Sequence, residues 1–294
     1  MGKILEKLKT VKVLVSDGAW GTLLHARGLK FGECPEQWNL SHPGEVTDIA
    51  SQYISAGADM IETNSFGGSR FKLSHYGLER QVTEINCHAA ELSRNAAGTD
   101  KIVMGSVGPT GKILMTGEVT EEALYEAFKE QSMALADGGA DAIIVETMSD
   151  LDEARIAVKA ARENTSCEVI CTMTFEKTVS GEYRTMMGVS PSEMVQAMKE
   201  AGADIIGANC GNGIEGMIVI VQEIRSADKQ IPVLIHANAG IPEYVDGKTV
   251  FPESPEQMAA FIPALADAGA NVIGGCCGTT PRHIRMISET LKMR

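Results

Sequence analysis

Three glycine-flanked cysteines carry the most distinctive chemistry in this chain. Cys276 and Cys277 lie in the stretch 274–281, GGCCGTTP, and Cys210 lies in the stretch 207–213, GANCGNG. Two adjacent cysteines do not bond to each other easily, because a vicinal disulfide strains the peptide between them. Both can turn toward one metal ion, since the flanking glycines leave the backbone free to fold around it. With Cys210 as the third ligand, the pattern predicts a metal site of three sulfurs.

Three thiolates without a fourth protein ligand are typical of a zinc site that is open to substrate. Structural zinc sites close with four ligands, usually from Cys-x-x-Cys pairs, and the sequence has no such pair. A site this rich in electrons would keep a substrate sulfur nucleophilic, which suits alkylation of a thiol better than activation of water. Two other interpretations stay open: tight packing of a Gly-Cys-Cys-Gly strand end, and a strained redox pair of Cys276 with Cys277.

Acidic and amide side chains also follow the predicted strands. Asp17 and Glu146 are either helix caps and turn acids or anchors for the ammonium group of a substrate. Asn209 and Asn238 are interpreted as loop-stabilising side chains. Three histidines are interpreted as structural: His25, His236 and His283. No Ser-His-Asp set or phosphate-binding loop is visible.

The composition is that of a soluble globular protein, with 44% hydrophobic and 22% charged residues. A net charge of −13 argues against nucleic acid or an anionic membrane as the main partner. No apolar run approaches the roughly 20 residues that span a bilayer, and the N-terminus lacks the apolar segment of a signal peptide. The seven cysteines are expected to be thiols or metal ligands rather than disulfides. We therefore expect a cytoplasmic protein.

A degenerate repeat organises the elements that position these residues. It occurs as AGAD at 56–59, GGAD at 138–141, AGAD at 201–204 and AGAN at 268–271. Each copy ends a helical pattern with a glycine that can adopt the left-handed conformation, and each precedes an apolar run typical of a buried strand. Ser-Pro or Thr-Pro pairs at 190–191, 254–255 and 280–281 predict three helix starts.

Eight buried strands can be counted, and helical patterns lie between most of them. They are predicted at Val11 to Ser16, Met60 to Thr63, Ile102 to Val107, Ala142 to Val145, Val169 to Thr174, Ile205 to Ala208, Val233 to His236 and Val272 to Gly275. Eight parallel strands with alternating helices predict a single (β/α)8 TIM barrel across residues 1–294, since such a barrel needs about 250 residues. An open doubly wound sheet is the alternative, but no Gly-x-Gly-x-x-Gly turn follows the first strand.

The chemically distinctive residues follow the predicted strands, whereas the repeats precede them. In a parallel barrel the carboxyl ends of all strands share one face, where active sites are built. Cys210, Cys276 and Cys277 should therefore surround one rim together with Asp17 and Glu146. The longest loops, at 175–189 and 238–253, leave this same face and are candidates for lids or partner-docking surfaces.

The chain resembles the homocysteine S-methyltransferase family over nearly its whole length. The resemblance rests on motifs that are highly specific together: DGAWGT at 17–22, ETNSFG at 62–67, GPTG at 108–111, ET at 146–147, NC at 209–210 and GGCCGTTP at 274–281. It implies a zinc ion on Cys210, Cys276 and Cys277. It also implies contacts to the amino-acid part of L-homocysteine from Asp17, the backbone of Gly18 and Ala19, and Glu146.

Within this family, which includes betaine–homocysteine methyltransferase, two segments are most similar to the homocysteine-binding domain of cobalamin-dependent methionine synthase. They are NAGIP at 238–242 and GKTVFP at 247–252. The sequence lacks a folate barrel, a corrinoid domain and the Asp-x-His-x-x-Gly cobalamin signature. The resemblance therefore implies a methyl donor such as methylcobalamin on a separate corrinoid protein, docked by the long loops. A small donor, S-methylmethionine or betaine, is the other option.

Three functions stand as hypotheses. The first is a zinc-dependent methyltransferase that forms methionine from homocysteine. The second uses the same site in reverse, demethylating a small substrate and methylating a corrinoid protein. The third is a non-catalytic thiol-binding subunit, against which the three intact cysteines argue.

Overall fold

Eight parallel strands form a nearly closed barrel surrounded by helices, as the sequence predicts. The structure is a computed structural model that describes residues 2–245 and 247–293. The barrel strands are β1 (Leu14–Val15), β2 (Met60–Glu62), β3 (Ile102–Val107), β4 (Ala142–Met148), β5 (Glu168–Met173), β6 (Ile205–Asn209), β7 (Val233–Ala237) and β8 (Val272–Gly275). The helices are α1 (Lys3–Leu8), α2 (Gly21–Ala26), α3 (Trp38–Ser41), α4 (Pro43–Ser55), α5 (Arg70–Ser74), α6 (Val82–Ala97), α7 (Glu121–Asp137), α8 (Leu151–Asn164), α9 (Pro191–Ala201), α10 (Ile214–Ala227), α11 (Pro255–Ala268) and α12 (Pro281–Lys292).

The first strand is shorter than the apolar run indicates. Strand β1 spans Leu14–Val15, so the prediction of Val11 to Ser16 is wrong in its bounds. The backbone N–H of Val11 donates to the Lys7 carbonyl over 3.0 Å, because the run begins inside the turn that ends α1. The hydrogen-bonded order of the sheet is β1-β8-β7-β6-β5-β4-β3-β2, so β1 lies at one end of it and pairs with β8.

The two long segments predicted as loops each contain a short antiparallel hairpin. Glu176–Lys177 pairs with Tyr183–Arg184 after β5, and Glu243–Val245 pairs with Lys248–Val250 after β7. Hairpin pairing satisfies backbone groups that an irregular loop would leave to water. Both segments leave the barrel at the carboxyl ends of their strands, on the predicted face.

Strand side chains alternate between the barrel interior and the helix layer. Near the amino ends of the strands the inward residues are apolar and buried: Leu14, Met60, Ile102, Ala142, Ile170, Ile205, Leu234 and Val272. Two or four residues further along, the same alternation turns polar side chains inward, and all are at most 9% exposed: Glu62, Ser106, Glu146, Thr172, Asn209 and His236. The interior therefore changes from apolar to polar toward the carboxyl ends of the strands.

Helix α1 closes the amino-end opening of the barrel. Ile4 packs into the apolar interior and is fully buried. The Glu168 carboxylate accepts hydrogen bonds from the backbone N–H groups of Ile4 at 2.8 Å and Leu5 at 2.9 Å. These donors belong to the first turn of the helix, which cannot satisfy them itself, and a carboxylate also complements the positive end of the helix dipole. Access to the polar interior is thus left to the opposite end.

The Ala-Gly-Ala-Asp repeat forms a hydrogen-bonded clasp around the amino-end face. Its glycine is left-handed in each case, with φ of +99° at Gly139, +98° at Gly202 and +114° at Gly269. An arginine of α6, α8 or α10 donates hydrogen bonds to the carbonyl of this glycine and to the side chain two residues after it. The three clasps join Arg94 to Gly139 and Asp141, Arg162 to Gly202 and Asp204, and Arg225 to Gly269 and Asn271. The same acid or amide accepts a backbone N–H of the neighbouring strand.

The three helix starts predicted from Ser-Pro and Thr-Pro pairs are confirmed. Pro191, Pro255 and Pro281 are the first residues of α9, α11 and α12. Each helix is preceded by a capping box, in which the Ser or Thr and the third helical residue exchange hydrogen bonds. Among the helices of the described residues, none combines the length and the apolar character needed to cross a bilayer.

Removing one clasp should lower stability without altering the carboxyl-end face. Arg162→Ala removes the donor to the Gly202 carbonyl and leaves Asp204 without its ion pair. We expect the free energy of unfolding to fall by about 1–3 kcal/mol. The matched control is Arg155→Ala on the same helix, whose partner Asp152 is exposed, with an expected change within about 0.5 kcal/mol. Urea denaturation measures both, and equal losses would show that the clasp adds no special constraint.

Candidate active site

The three predicted cysteines meet at the carboxyl-end rim of the barrel. Cys210 follows β6, and Cys276 and Cys277 follow β8. Their Sγ atoms all lie within 4.8 Å of one another, with 4.0 Å between Cys210 and Cys277. Tetrahedral ligation with Zn–S bonds of about 2.3 Å separates two sulfurs by about 3.8 Å. The donor set and its spacing therefore suit one soft metal ion.

A buried amide oxygen beside the cluster points to the same conclusion. Asn238 is 2% exposed, and its side chain contacts Cys210. Within the described residues, its Oδ1 accepts no hydrogen bond. A buried oxygen without a donor costs free energy, which a nearby cation would offset.

Backbone hydrogen bonds to β7 fix the cysteine loops. The N–H of Cys210 donates to the His236 carbonyl over 3.1 Å, and the N–H of Cys276 donates to the Ala237 carbonyl over 2.7 Å. Cys210 has a φ of +59°, a left-handed conformation that a non-glycine residue adopts at a cost of about 1–3 kcal/mol. The fold thus gives up stability to orient this thiol.

Thr279 ties the cysteine loop to the loop after β1. Its hydroxyl donates to the Cys276 carbonyl over 2.7 Å and accepts the N–H of Ala19 over 3.1 Å. A Cβ on Gly275 would lie 2.3 Å from this hydroxyl oxygen, so only glycine allows the close approach. Ala19, a predicted backbone contact to substrate, is therefore held in register with the cysteines.

A cavity of about 270 Å³ opens beside the sulfur cluster. Phe66 lies on its wall and is 40% exposed, so the cavity reaches the surface. Its wall contains all but one of the predicted site residues: Gly18, Ala19, Glu146, Cys210, Cys276 and Cys277. Asp17 is the exception among the described residues.

Asp17 closes the seam of the barrel from behind the cavity wall. Its Oδ2 accepts the backbone N–H of Glu62 over 2.8 Å and the indole N–H of Trp20 over 2.9 Å, and its Oδ1 accepts the Ser16 hydroxyl over 3.2 Å. Strands β1 and β2 end the sheet order without a ladder between them, so this carboxylate supplies a bond that a neighbouring strand would otherwise supply. Asp17 is only 1% exposed.

Glu146 projects from β4 into the cavity and is held on both oxygens. The Ser106 hydroxyl donates to its Oε1, and the Asn209 amide donates to its Oε2 over 3.2 Å. The Asn209 side chain also accepts the backbone N–H of Thr147 over 2.8 Å. Asn209 therefore lies in a strand and holds the Glu146 carboxylate in place. The sequence-based interpretation of Asn209 as a loop-stabilising side chain misses this role.

Glu62 and His236 also line the cavity, although sequence reasoning does not single them out as site residues. His236 Nδ1 lies 3.3 Å from Glu62 Oε1, and His236 is 2% exposed. The alternation of the strands could have found them, because each lies two residues beyond an inward apolar residue, Met60 or Leu234.

Burial raises the pKa of two carboxyl groups on the cavity wall, Glu62 and Glu146. The charge of Asp17 raises the pKa of Glu62 further, and the charge of Glu62 does the same for Glu146. The pKa of Asp17 is also raised by burial, with the nearby His236 opposing the shift. Burial lowers the pKa of His236, which favours the neutral imidazole. Carboxyls gathered around one weak base favour the binding of a cation.

The three thiols titrate as a group. Hydrogen bonds from Cys276 and Cys277 lower the pKa of Cys210. The contacts with Cys210 raise the pKa of Cys276 and of Cys277, and burial adds to both shifts. Because the thiols share these bonds, the first proton lost belongs to the cluster rather than to one sulfur.

These features define a class: barrel proteins with a three-cysteine site beside a carboxylate-lined cavity at the carboxyl-end face. The homocysteine S-methyltransferase family matches residues 14–291 of the sequence. The chain therefore belongs to the homocysteine S-methyltransferase family.

Two relatives agree with this assignment, and a solved structure shares the fold. The chain is 31% identical over 298 residues to methionine synthase of Mycobacterium tuberculosis, and the match covers 95% of this chain and 25% of that protein. It is also 31% identical over 294 residues to methionine synthase of Mycobacterium leprae, covering 95% of this chain and 24% of that protein. The chain thus spans about a quarter of the length of these relatives. The metallated form of the homocysteine methyltransferase MmuM from Escherichia coli shares the fold, with a TM-score of 0.80, 24% identity, and coverage of 97% of this chain and 98% of that chain.

Alkylation should distinguish the cluster from other accessible thiols. Cys87 is half-exposed like the site cysteines, but burial and Glu91 raise its pKa. In reduced protein treated with a chelator at pH 7, we expect iodoacetamide to label the cluster about tenfold faster than Cys87, because the thiolate is the reactive form. Added zinc should suppress labelling of the cluster alone. Mass spectrometry of the peptides measures both rates, and faster labelling of Cys87 would contradict a lowered pKa at the cluster.

Proposed function

We propose that this chain transfers a methyl group to the sulfur of L-homocysteine and forms methionine, with zinc held by Cys210, Cys276 and Cys277. The observation that carries the proposal is the three-sulfur cluster on the wall of a cavity that is rich in carboxylates. The cluster suits a metal that activates a thiol, and the carboxylates suit the ammonium group of an amino acid. Family membership supports homocysteine as that amino acid.

The residues of the site divide into a sulfur end and an amino-acid end. When bound, zinc supplies Lewis acidity that lowers the pKa of a substrate thiol while the thiolate ligands keep its sulfur nucleophilic. At the other end, Gly18 and Ala19 present backbone to the cavity, and Glu146 presents a carboxylate that Ser106 and Asn209 hold in place. Asp17, which lies behind this wall, stays in the proposal as a further group that interacts with the ammonium.

The methyl transfer itself needs a donor in line with the sulfur. The sulfur–carbon bond forms as the bond between the methyl group and the donor breaks, and the thiol proton leaves before or on binding. The cavity reaches the surface at Phe66, which gives a donor a route to the sulfur. A methylcorrinoid on another protein and a small donor, S-methylmethionine or betaine, are the donors to screen. Residues 1–294 would act as one homocysteine-binding barrel.

Titration calorimetry of L-homocysteine into zinc-loaded protein tests the proposal. We expect one zinc per chain and saturable binding with release of about one proton, measured in buffers of different ionisation enthalpy. Cys210→Ala removes one sulfur and should abolish stoichiometric zinc and homocysteine binding together. The matched control is Cys87→Ala, which removes a half-exposed cysteine of α6, distant in sequence from the three rim cysteines. This variant should keep both zinc and homocysteine binding.

Stoichiometric zinc without homocysteine binding would contradict the methionine-forming function. That result would favour a methyltransferase that demethylates another small substrate and methylates a corrinoid protein. If homocysteine binds, single-turnover assays with methylcobalamin, betaine and S-methylmethionine identify the donor by the methionine formed.

A further inference from the structure

Glu62 offers the cavity a carboxylate oxygen that its protein neighbours leave without a hydrogen bond. The other buried carboxylates here are engaged: Asp17 by three donors, Glu146 by Ser106 and Asn209, and Glu36 by the Gly67 N–H and the Cys34 thiol. Within the described residues, neither carboxyl oxygen of Glu62 accepts a hydrogen bond, although the residue is only 9% exposed. A buried carboxyl oxygen without a donor is costly, so the Glu62 carboxyl is suited to a ligand.

His236 adds a second unsatisfied atom beside the first. Its Nδ1 lies 3.3 Å from Glu62 Oε1, and its Nε2 has no partner in the described chain. A ring proton on Nδ1 faces Oε1 of Glu62 across this contact, which does not meet the geometry of a hydrogen bond. Oε2 of Glu62 and Nε2 of the ring are then left as acceptors. Both residues line the cavity, so the pair presents acceptors to whatever binds there.

We propose that Glu62, positioned by His236, is a principal contact for the ammonium group of the substrate, together with Glu146. An ammonium group brings three N–H donors and a positive charge, which match the unsatisfied acceptors and the surrounding carboxylates. Among the described residues that line the cavity there is no lysine or arginine that could supply this positive charge from the protein. The subsite would therefore select an aminothiol over a thiol that lacks the amino group. This inference rests on the proposed function, because it assigns a part of the same site.

A metal ion is the competing occupant of this corner. Asp17, Glu62 and His236 offer ligand atoms that lie within 4.8 Å of one another. The oxygens of Asp17, however, already accept an indole N–H, a backbone N–H and a hydroxyl, which orient them toward donors of the protein. An ammonium group needs only the acceptors that remain, so the geometry favours it.

Ligand pairs that differ only in the amino group test the proposal. L-homocysteine is compared with 4-sulfanylbutanoate, and L-norleucine with hexanoate, the second pair requiring no metal–sulfur contact. In zinc-loaded protein, Glu62→Gln should weaken the amino-acid member of each pair about 10- to 100-fold and change its desamino partner by less than about twofold. The matched control is Glu153→Gln, a buried carboxylate outside the cavity wall that accepts from Thr110. It should leave the four affinities unchanged.

The outcomes separate this inference from the proposed function. If the protein binds homocysteine with proton release but Glu62→Gln weakens both members of a pair equally, the proposed function stands and the ammonium assignment fails. If homocysteine does not bind but norleucine does, and Glu62→Gln removes its advantage over hexanoate, the assignment stands and the proposed function fails. If neither amino acid binds better than its desamino partner, the assignment is overturned. A second zinc equivalent that Glu62→Gln removes also overturns it in favour of a metal ion.

A second variant covers the case in which Glu62→Gln does not fold. His236→Asn removes the imidazole beside Glu62 and keeps the carboxylate itself. Misplacing Glu62 should reduce the discrimination between homocysteine and 4-sulfanylbutanoate several-fold, with zinc still bound at one equivalent. Unchanged discrimination in a folded His236→Asn protein would show that His236 does not position Glu62.

Discussion

The alternation of side chains along the barrel strands is the constraint on which the site depends. It turns every second residue inward, so a strand that places an apolar residue in the lower interior also places the residue two or four positions later near the rim. Met60 and Glu62, or Leu234 and His236, are pairs of this kind. The stable lower layer and the reactive upper layer are therefore built by the same strands in one register. A slip of one residue would turn both layers out toward the helices.

Buried carboxylates and a left-handed cysteine in the upper layer lower the stability of the fold, and the groups around them offset part of this loss. Asp17 and Glu146 keep their carboxylates buried because hydroxyl, amide, indole and backbone donors surround them. Cys210 keeps a left-handed backbone because its N–H donates to the His236 carbonyl of β7 and its carbonyl accepts the N–H of Asn212 in the following turn. Such strain and incomplete satisfaction are stabilised by the lower layer and the helix shell, where buried apolar contacts dominate. Stability and reactivity thus occupy opposite ends of the barrel.

Much of the barrel follows from local sequence signals. The repeats at 138–141 and 201–204 specify a left-handed glycine and a buried strand, and both form as expected. The position of Cys210 after one strand and of Cys276 and Cys277 after another was sufficient to predict that the three sulfurs meet, because parallel strands end on one face.

Other features depend on tertiary contacts that no local pattern encodes. The apolar run from Val11 begins within the turn that follows α1, so the first strand is shorter than the run. Asp17 reads as a turn acid or a substrate anchor in sequence, yet its three donors come from the seam between β1 and β2 and from the adjoining loop. The pairing of Glu62 with His236 joins strands that are far apart in the chain, so only the closed barrel brings them together.

The arginine clasps at the amino-end face repeat at regular intervals around the barrel. They recur on α6, α8 and α10, every second helix, and the next position in the series is α12 facing Gly57 and Asp59. There Ser288 and Lys292 of α12 approach Gly57, and Lys101 pairs with Asp59 in place of an arginine. The turn therefore recurs before every second strand, β2, β4, β6 and β8, which gives the amino-end face a period of two strands. The copy before β2 departs from the other three, and β2 is also the strand whose Glu62 N–H binds Asp17.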